Sequence, residues 1–219
     1  MASIVVSGNT SGTITISAPL VAGSNTITLP ASTGTATVTS AVVSAVGQIP
    51  FSTDGSTWTP TAKIVQGTAV ASTSGTSIPF TGIPAWAKKI TVMFVGVSTA
   101  GTNNIIVQIG SGSPTTTGYS SASSRLSAAG ATAFASATTG FNIHTPVATD
   151  IIYGSMIISN ITGNTWVQSN VVANIPTGNS TIQGGGASAN LSGALDRVVI
   201  TTVGGDTFDG GVINVMWEG

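Results

Sequence analysis

A single histidine, His144 in "FNIHTP", is the only imidazole in the chain, and there is no cysteine. A serine–histidine–aspartate triad would have to be built on that residue, with Asp150 the nearest acid. Serines are so frequent around it that their presence selects no nucleophile. A solvated or hydrogen-bonded loop histidine is the reading favoured. Without cysteine, thiolate metal sites, cysteine nucleophiles and a disulfide framework are all excluded. A metal bound by one histidine would need carboxylates, and the chain has six acidic residues in all. The densest acidic stretch is "GGDTFDGG", where Asp206 and Asp209 could offer oxygen ligands to calcium, which takes roughly six to eight of them. The competing reading is a glycine turn in which aspartates cap backbone amides and Phe208 tucks inward, and it is preferred. Asp150, Asp196, Asp206, Asp209 and Glu218 could supply the paired carboxylates of glycoside hydrolysis, but nothing in their spacing pairs them. The expectation is a protein with no catalytic residue, cofactor or resident metal, and so not an enzyme.

Carbohydrate binding needs no titratable group, only aromatic faces. Trp58, Trp86, Trp166 and Trp217 could each stack on a sugar ring. Trp217 ends an alternating strand and Trp86 lies where "IPAWAKK" turns into one, so both are assigned to core or interface. Trp166 is the candidate for exposure and for carbohydrate contact. The other charges have local explanations. Asp196 and Arg197 at the start of "RVVITTV" read as a local ion pair or as solvated strand-end charges, and Lys88 and Lys89 open "ITVMFVGV" as strand-entry charges.

The elements that would carry these residues are strands. Only 5% of the 219 residues are charged, against roughly 25% in a typical globular domain. Glycine, serine, threonine, alanine and valine take the place of lysine and glutamate. This composition favours thin, closely packed sheets over disorder. A net charge of −1 offers no field for nucleic acid or anionic lipid. No apolar run approaches the ~20 residues of a membrane span, and "MASIVVSGNT" lacks the features of a signal peptide. The expectation is a soluble protein made without export.

Three sections follow one another. Residues 1–47 carry short ribbons, "ASIVVS", "GTITIS", "NTITLP" and "TATVTS", in a weak internal repeat with no charge before Asp54. Threonine alternates there with Ile14, Ile16, Ile27 and Leu29, a pattern that gives one apolar and one polar face. A lone ribbon cannot cover such a face, so it needs a partner surface. Copies from neighbouring chains, interleaved about a threefold axis, are favoured over the C-terminal section. Residues 48–66 form a linker with an Asp54-Gly55 turn signal. From 67 to 219 the strands lengthen: "KKITVMFVGVS", "NNIIVQIGS", "DIIYGSMIIS", "NTWVQSNVVA", "LDRVVITTVG" and "GGVINVMWEG". They read as an antiparallel β-sandwich or jelly roll, making the chain all-β. "SSRLSAAGATAFASA" at 123–137 could be a helix, but its glycine and serine favour a loop. In the last strand Ile213, Val215 and Trp217 should face the core, and Val212, Asn214, Met216 and Glu218 the other side.

The stretch "GNTSGTITISAPLVAGSNTITLPASTGT" resembles a segment recurring in structural proteins of tailed bacteriophages, especially fibre-like ones, and "FSTDGSTWTP" resembles the linker that follows it. "FTGIPAWAKKITVMFVGVSTAGTNNIIVQIG", "SGALDRVVITTVGGDTFDGGVINVMWEG" and "TTGF" at 138–141 are similar to a module of phage tail-fibre and other virion proteins. The resemblance implies an oligomeric component of the virion surface, made in the bacterial host cytoplasm, in contact with other tail, neck or capsid proteins. It brings no catalytic residue with it. A homotrimeric tail fibre or head fibre is the expectation. A host-glycan receptor-binding module displaying loops 111–125 and 177–190, or a capsid decoration or cement protein, are the alternatives.

Overall fold

The computed structural model describes residues 63–127, 130, 133–175 and 180–219 with their side chains, and the backbone of 3–7, 13–17, 48–51, 59–62 and 132. The ribbons "NTITLP" and "TATVTS", the Asp54-Gly55 turn and Trp58 lie outside the described residues. The chain divides into two units, 1–38 and 39–219. In the first, β1 (Ser3–Ser7) and β2 (Thr13–Ser17) pair antiparallel, with Ile4 opposite Ile16 and Val6 opposite Ile14. Two of the alternating ribbons are thus the arms of one hairpin.

The second unit is all-β, with no helix among its described residues. Its strands are β3 (Gln48–Phe51), β4 (Thr59–Gln66), β5 (Val70–Ala71), β6 (Ser77–Thr81), β7 (Lys89–Thr99) and β8 (Ile105–Ser111). They continue with β9 (Ser113–Pro114), β10 (Ser120–Leu126), β11 (Thr132–Ala137), β12 (Phe141–Ile143) and β13 (Ile152–Thr162). The last four are β14 (Thr165–Asn174), β15 (Ser180–Ala187), β16 (Arg197–Thr202) and β17 (Phe208–Glu218). A large sheet runs β11-β10-β15-β14-β13-β7-β17-β4-β3, with β5 also on β17. A smaller one runs β12-β8-β16-β6, with β9 on β8, and all pairings are antiparallel. The sheets close on one core. Ile90, Val92 and Phe94 of β7, Met156 and Ile158 of β13, and Ile213 and Val215 of β17 meet Val107 and Ile109 of β8 and Val198 and Ile200 of β16. This is the antiparallel sandwich that period-two alternation demands once one face of each strand leaves water.

β7 shows how the alternation is managed. Ile90, Val92 and Phe94 point inward, but beyond Gly96 the buried positions are Val97 and Thr99. One extra residue has been inserted, and the strand changes face. Gly96 takes φ 66° at this bulge, and the partner strand answers with Gly211 at φ 94°. A Cβ on Gly211 would lie 2.4 Å from the Gly96 carbonyl oxygen, so only glycine fits there.

Three expectations are corrected. The segment 123–137, read as a loop, is most of the β10–β11 hairpin, with Ser124 opposite Phe134. The proposed display loops 111–125 and 177–190 hold strands β10 and β15, which pair with each other through Ser121↔Gly186 and Ser123↔Gly184. Their small residues carry little strand propensity of their own. They are strands because they extend a sheet already built by β13 and β14, and because β12 packs closely over them. The residues read as a linker also pair: β3 and β4 form a hairpin, and β4 lies beside the end of β17 with Val65 opposite Trp217.

Candidate functional site

His144 follows β12 directly, outside any strand, and is 8% exposed, so of the two readings open for this loop histidine, solvated or hydrogen-bonded, solvation is corrected. Its Nδ1 is buried without a hydrogen-bond partner among the described residues. Burial holds the imidazole below its ordinary value of 6.5, the Arg125 guanidinium adds to this, and Asp150 opposes both. Arg125 and Asp150 are a buried ion pair, Nη1 to Oδ2 3.0 Å, with side chains 14% and 2% exposed. Arg125 Nε also donates to Ser180 Oγ at 3.0 Å. Asp150 Oδ2 further accepts the Val147 backbone N–H at 3.2 Å, and Oδ1 accepts from Asn174 Nδ2. Both carboxylate oxygens are therefore occupied by donors other than His144. The histidine–aspartate hydrogen bond of a triad is not made here. What the cluster does instead is fasten the segment 144–150 to β10, β14 and β15.

Sequence reasoning missed this pair. In a chain with 5% charged residues, a lone arginine in "SSRLSAA" and a lone aspartate in "VATD" were the available signal. Each sits among neutral residues, so each had to find its counter-ion at long range.

The remaining carboxylates are dispersed. Asp206 is clamped by Asn103, whose backbone N–H and Nδ2 donate to Oδ2 and Oδ1 at 2.8 Å each. Asp209 accepts from Ser98 Oγ on β7. Phe208 between them is fully buried. The two calcium candidates thus have separate protein donors, and among the described residues no three of His, Cys, Asp and Glu gather around one point. Asp196 pairs with Arg197 at 2.8 Å, and that hydrogen bond, with the Gly112 N–H, holds its carboxyl below the ordinary value. Glu218 pairs with Lys89 at 3.0 Å. Among the described residues each carboxylate has partners of its own, and no two share one.

Trp166 is 3% exposed on the inner face of β14, packed in the core cluster. The expectation that it lies open for a sugar ring is overturned. The alternation of β14 was legible, but which of its two faces turns inward depends on β13 and β15. Trp217 and Trp86 are partly buried against the core, as read from sequence, and Lys63 Nζ lies 5.5 Å from the Trp86 ring.

The outer face of the large sheet is the feature that remains. Val95 (61% exposed) stands opposite both Tyr153 (41%) and Val212 (42%), and Ile157 and Val171 (64%) continue the patch along β13 and β14. Phe134 and Leu126 extend it across β11 and β10. From β17 to β11 the charges on this face are Lys89 and Glu218 at one end, paired with each other, and Asp209 at the other. Between them lie mostly valine, isoleucine, methionine, tyrosine, serine and threonine, interrupted by the amides of Gln183 on β15 and Asn214 on β17.

Comparison with known proteins adds no neighbour: no family model, curated protein or solved structure matches the chain.

Proposed function

We propose that this chain is a non-enzymatic structural component of a bacteriophage virion surface, a trimeric fibre or fibre-like appendage attached through its N-terminal region. The observation that carries the reading is the outer face of the large sheet. Monomeric proteins seldom expose contiguous apolar surface beyond a few hundred Å², and larger patches mark contacts with other proteins. Here Val95 stands directly opposite Tyr153 and Val212, and Ile157 and Val171 lie on either side of Ser155 on the next two strands, with no charge among them. A surface so poor in charge is suited to being covered by neighbouring subunits. The resemblance of the N-terminal ribbons and of the two long C-terminal stretches to phage fibre proteins supports the same assignment. With Trp166 in the core, the host-glycan reading has lost the residue that supported it, and no other observation replaces it.

Sedimentation equilibrium of the full chain tests the proposal. A trimer at micromolar concentration is expected, shifting toward monomer when Val95 and Val171 are both changed to lysine. A wild-type chain that stays monomeric, with the variant indistinguishable from it, refutes the assembly reading. Electron microscopy of the intact particle then places the chain on tail, neck or capsid.

A further inference from the structure

We propose that the interior of the sandwich beneath β14 and β15 is a binding site for enclosed water, held by the side-chain amides of Gln168, Asn170 and Asn142. Gln168 and Asn170 occupy successive inward positions of β14 and are 6% and 3% exposed. Among the described residues, neither nitrogen nor oxygen of either amide has a hydrogen-bond partner, and the Oδ1 of Asn142, a fully buried residue of β12, has none. Buried polar groups in native proteins are paired with protein or ordered water in the great majority of cases. Five such atoms, four on β14 and one on β12 of the facing sheet, therefore indicate a ligand.

The neighbouring residues form the cradle. Opposite Gln168 and Asn170 on β15 stand Gly186 and Gly184. A Cβ on Gly184 would lie 2.8 Å from Asn170 Oδ1 and 2.8 Å from Ser123 Cβ, and one on Gly186 2.8 Å from Ser121 Cβ. Glycine inside a strand weakens it and marks a place where other groups approach the backbone closely. Across the glycines, Ser121 Oγ accepts the Asn142 backbone N–H at 2.9 Å, and Ser123 Oγ accepts from Asn142 Nδ2 at 2.8 Å. The serines are thus already engaged, and the orphaned set is two amide NH₂ groups and three amide oxygens, with the indole N–H of Trp166, the preceding inward position of β14, a further unpartnered donor.

That set selects the ligand. A cation would need acceptors only, and an anion donors only. The one charged residue of β10, Arg125, is committed to Asp150 and Ser180. A neutral molecule that both donates and accepts matches the mixture, and water does so at a size that a closed interior admits.

The test is nuclear magnetic resonance on the full, isotope-labelled chain, with water-selective transfer to the side-chain amide protons of Gln168 and Asn170, alongside oxygen-17 relaxation dispersion. Cross-peaks of the sign given by water resident for longer than nanoseconds are expected at both amides. The dispersion amplitude should fall by at least one long-lived water in a Gln168→Met/Asn170→Leu double variant. Absence of water contacts at both wild-type amides, or amides bonded directly to each other, overturns the proposal whether or not the variant folds. So does a retained neutral mass in native mass spectrometry, which would mean a larger hydroxylated ligand fills the site.

Discussion

Replacing Asp150 by alanine leaves the Arg125 guanidinium, 14% exposed, without its counter-ion in the interior of the sandwich. The same change removes the acceptor for the Val147 N–H and for Asn174 Nδ2. Breaking one side of a buried pair costs about 3–5 kcal/mol, because the remaining charge is uncompensated. Whole-domain stabilities run about 5–15 kcal/mol, so the loss is a large fraction of the total. For a chain of this size each kcal/mol lowers Tm by roughly 2–4 °C, which puts the expected fall at about 6–20 °C. Differential scanning calorimetry of Asp150→Ala, Arg125→Met and the double variant reads this directly. The double variant should be more stable than Asp150→Ala, since it carries no stranded charge and so avoids that charge's desolvation cost. If Asp150→Ala melts within about 1 kcal/mol of wild type, the pair is hydrated and the argument from burial fails. If the single and double effects simply add, the two residues do not act through each other.

Other substitutions test other parts of the fold. Trp217→Ala should cost about 3 kcal/mol, the lower end for a large aromatic because the ring is only partly buried, whereas Glu218→Ala should cost less than about 1 kcal/mol because its partner Lys89 is 42% exposed. Equal thermal melts for the two would refute the inward orientation of Trp217. His144 is held below 6.5, so its contribution to stability is complete above that pH and declines as the pH falls through it, where the unfolded chain takes up the proton first. Melting temperature against pH should therefore bend downward in acid for wild type and less so for His144→Gln; parallel curves would show that His144 is not the group responsible. Gly211→Ala places a methyl against the Gly96 carbonyl at φ 94° and should destabilise by at least about 1–3 kcal/mol, measured by urea titration, while a neutral result would mean the bulge relaxes freely.

Alternation is a local property, and wherever large β-branched residues recur with period two the strand could be read without any neighbour. That holds for β7, β13, β14 and β17, and for the inward set Ile213, Val215 and Trp217, while β8 and β16 were legible as short continuous apolar runs buried on both faces. The all-β class followed from sequence for the same reason, and of the two readings open for the adjacent Asp196 and Arg197, an ion pair or solvated charges, the structure shows the pair. β10, β11 and β15 could not be read in this way. Serine, alanine and glycine have no hydrophobic period, so those segments become strands only because a formed sheet offers them backbone partners. The burial of Trp166 was likewise undetermined, because a strand's two faces are equivalent until its neighbours choose which one meets the core. The same holds for Arg125 and Asp150, for the orphaned amides of Gln168 and Asn170, and for the apolar outer face: each arises where strands distant in sequence are brought side by side, and no local pattern encodes that meeting.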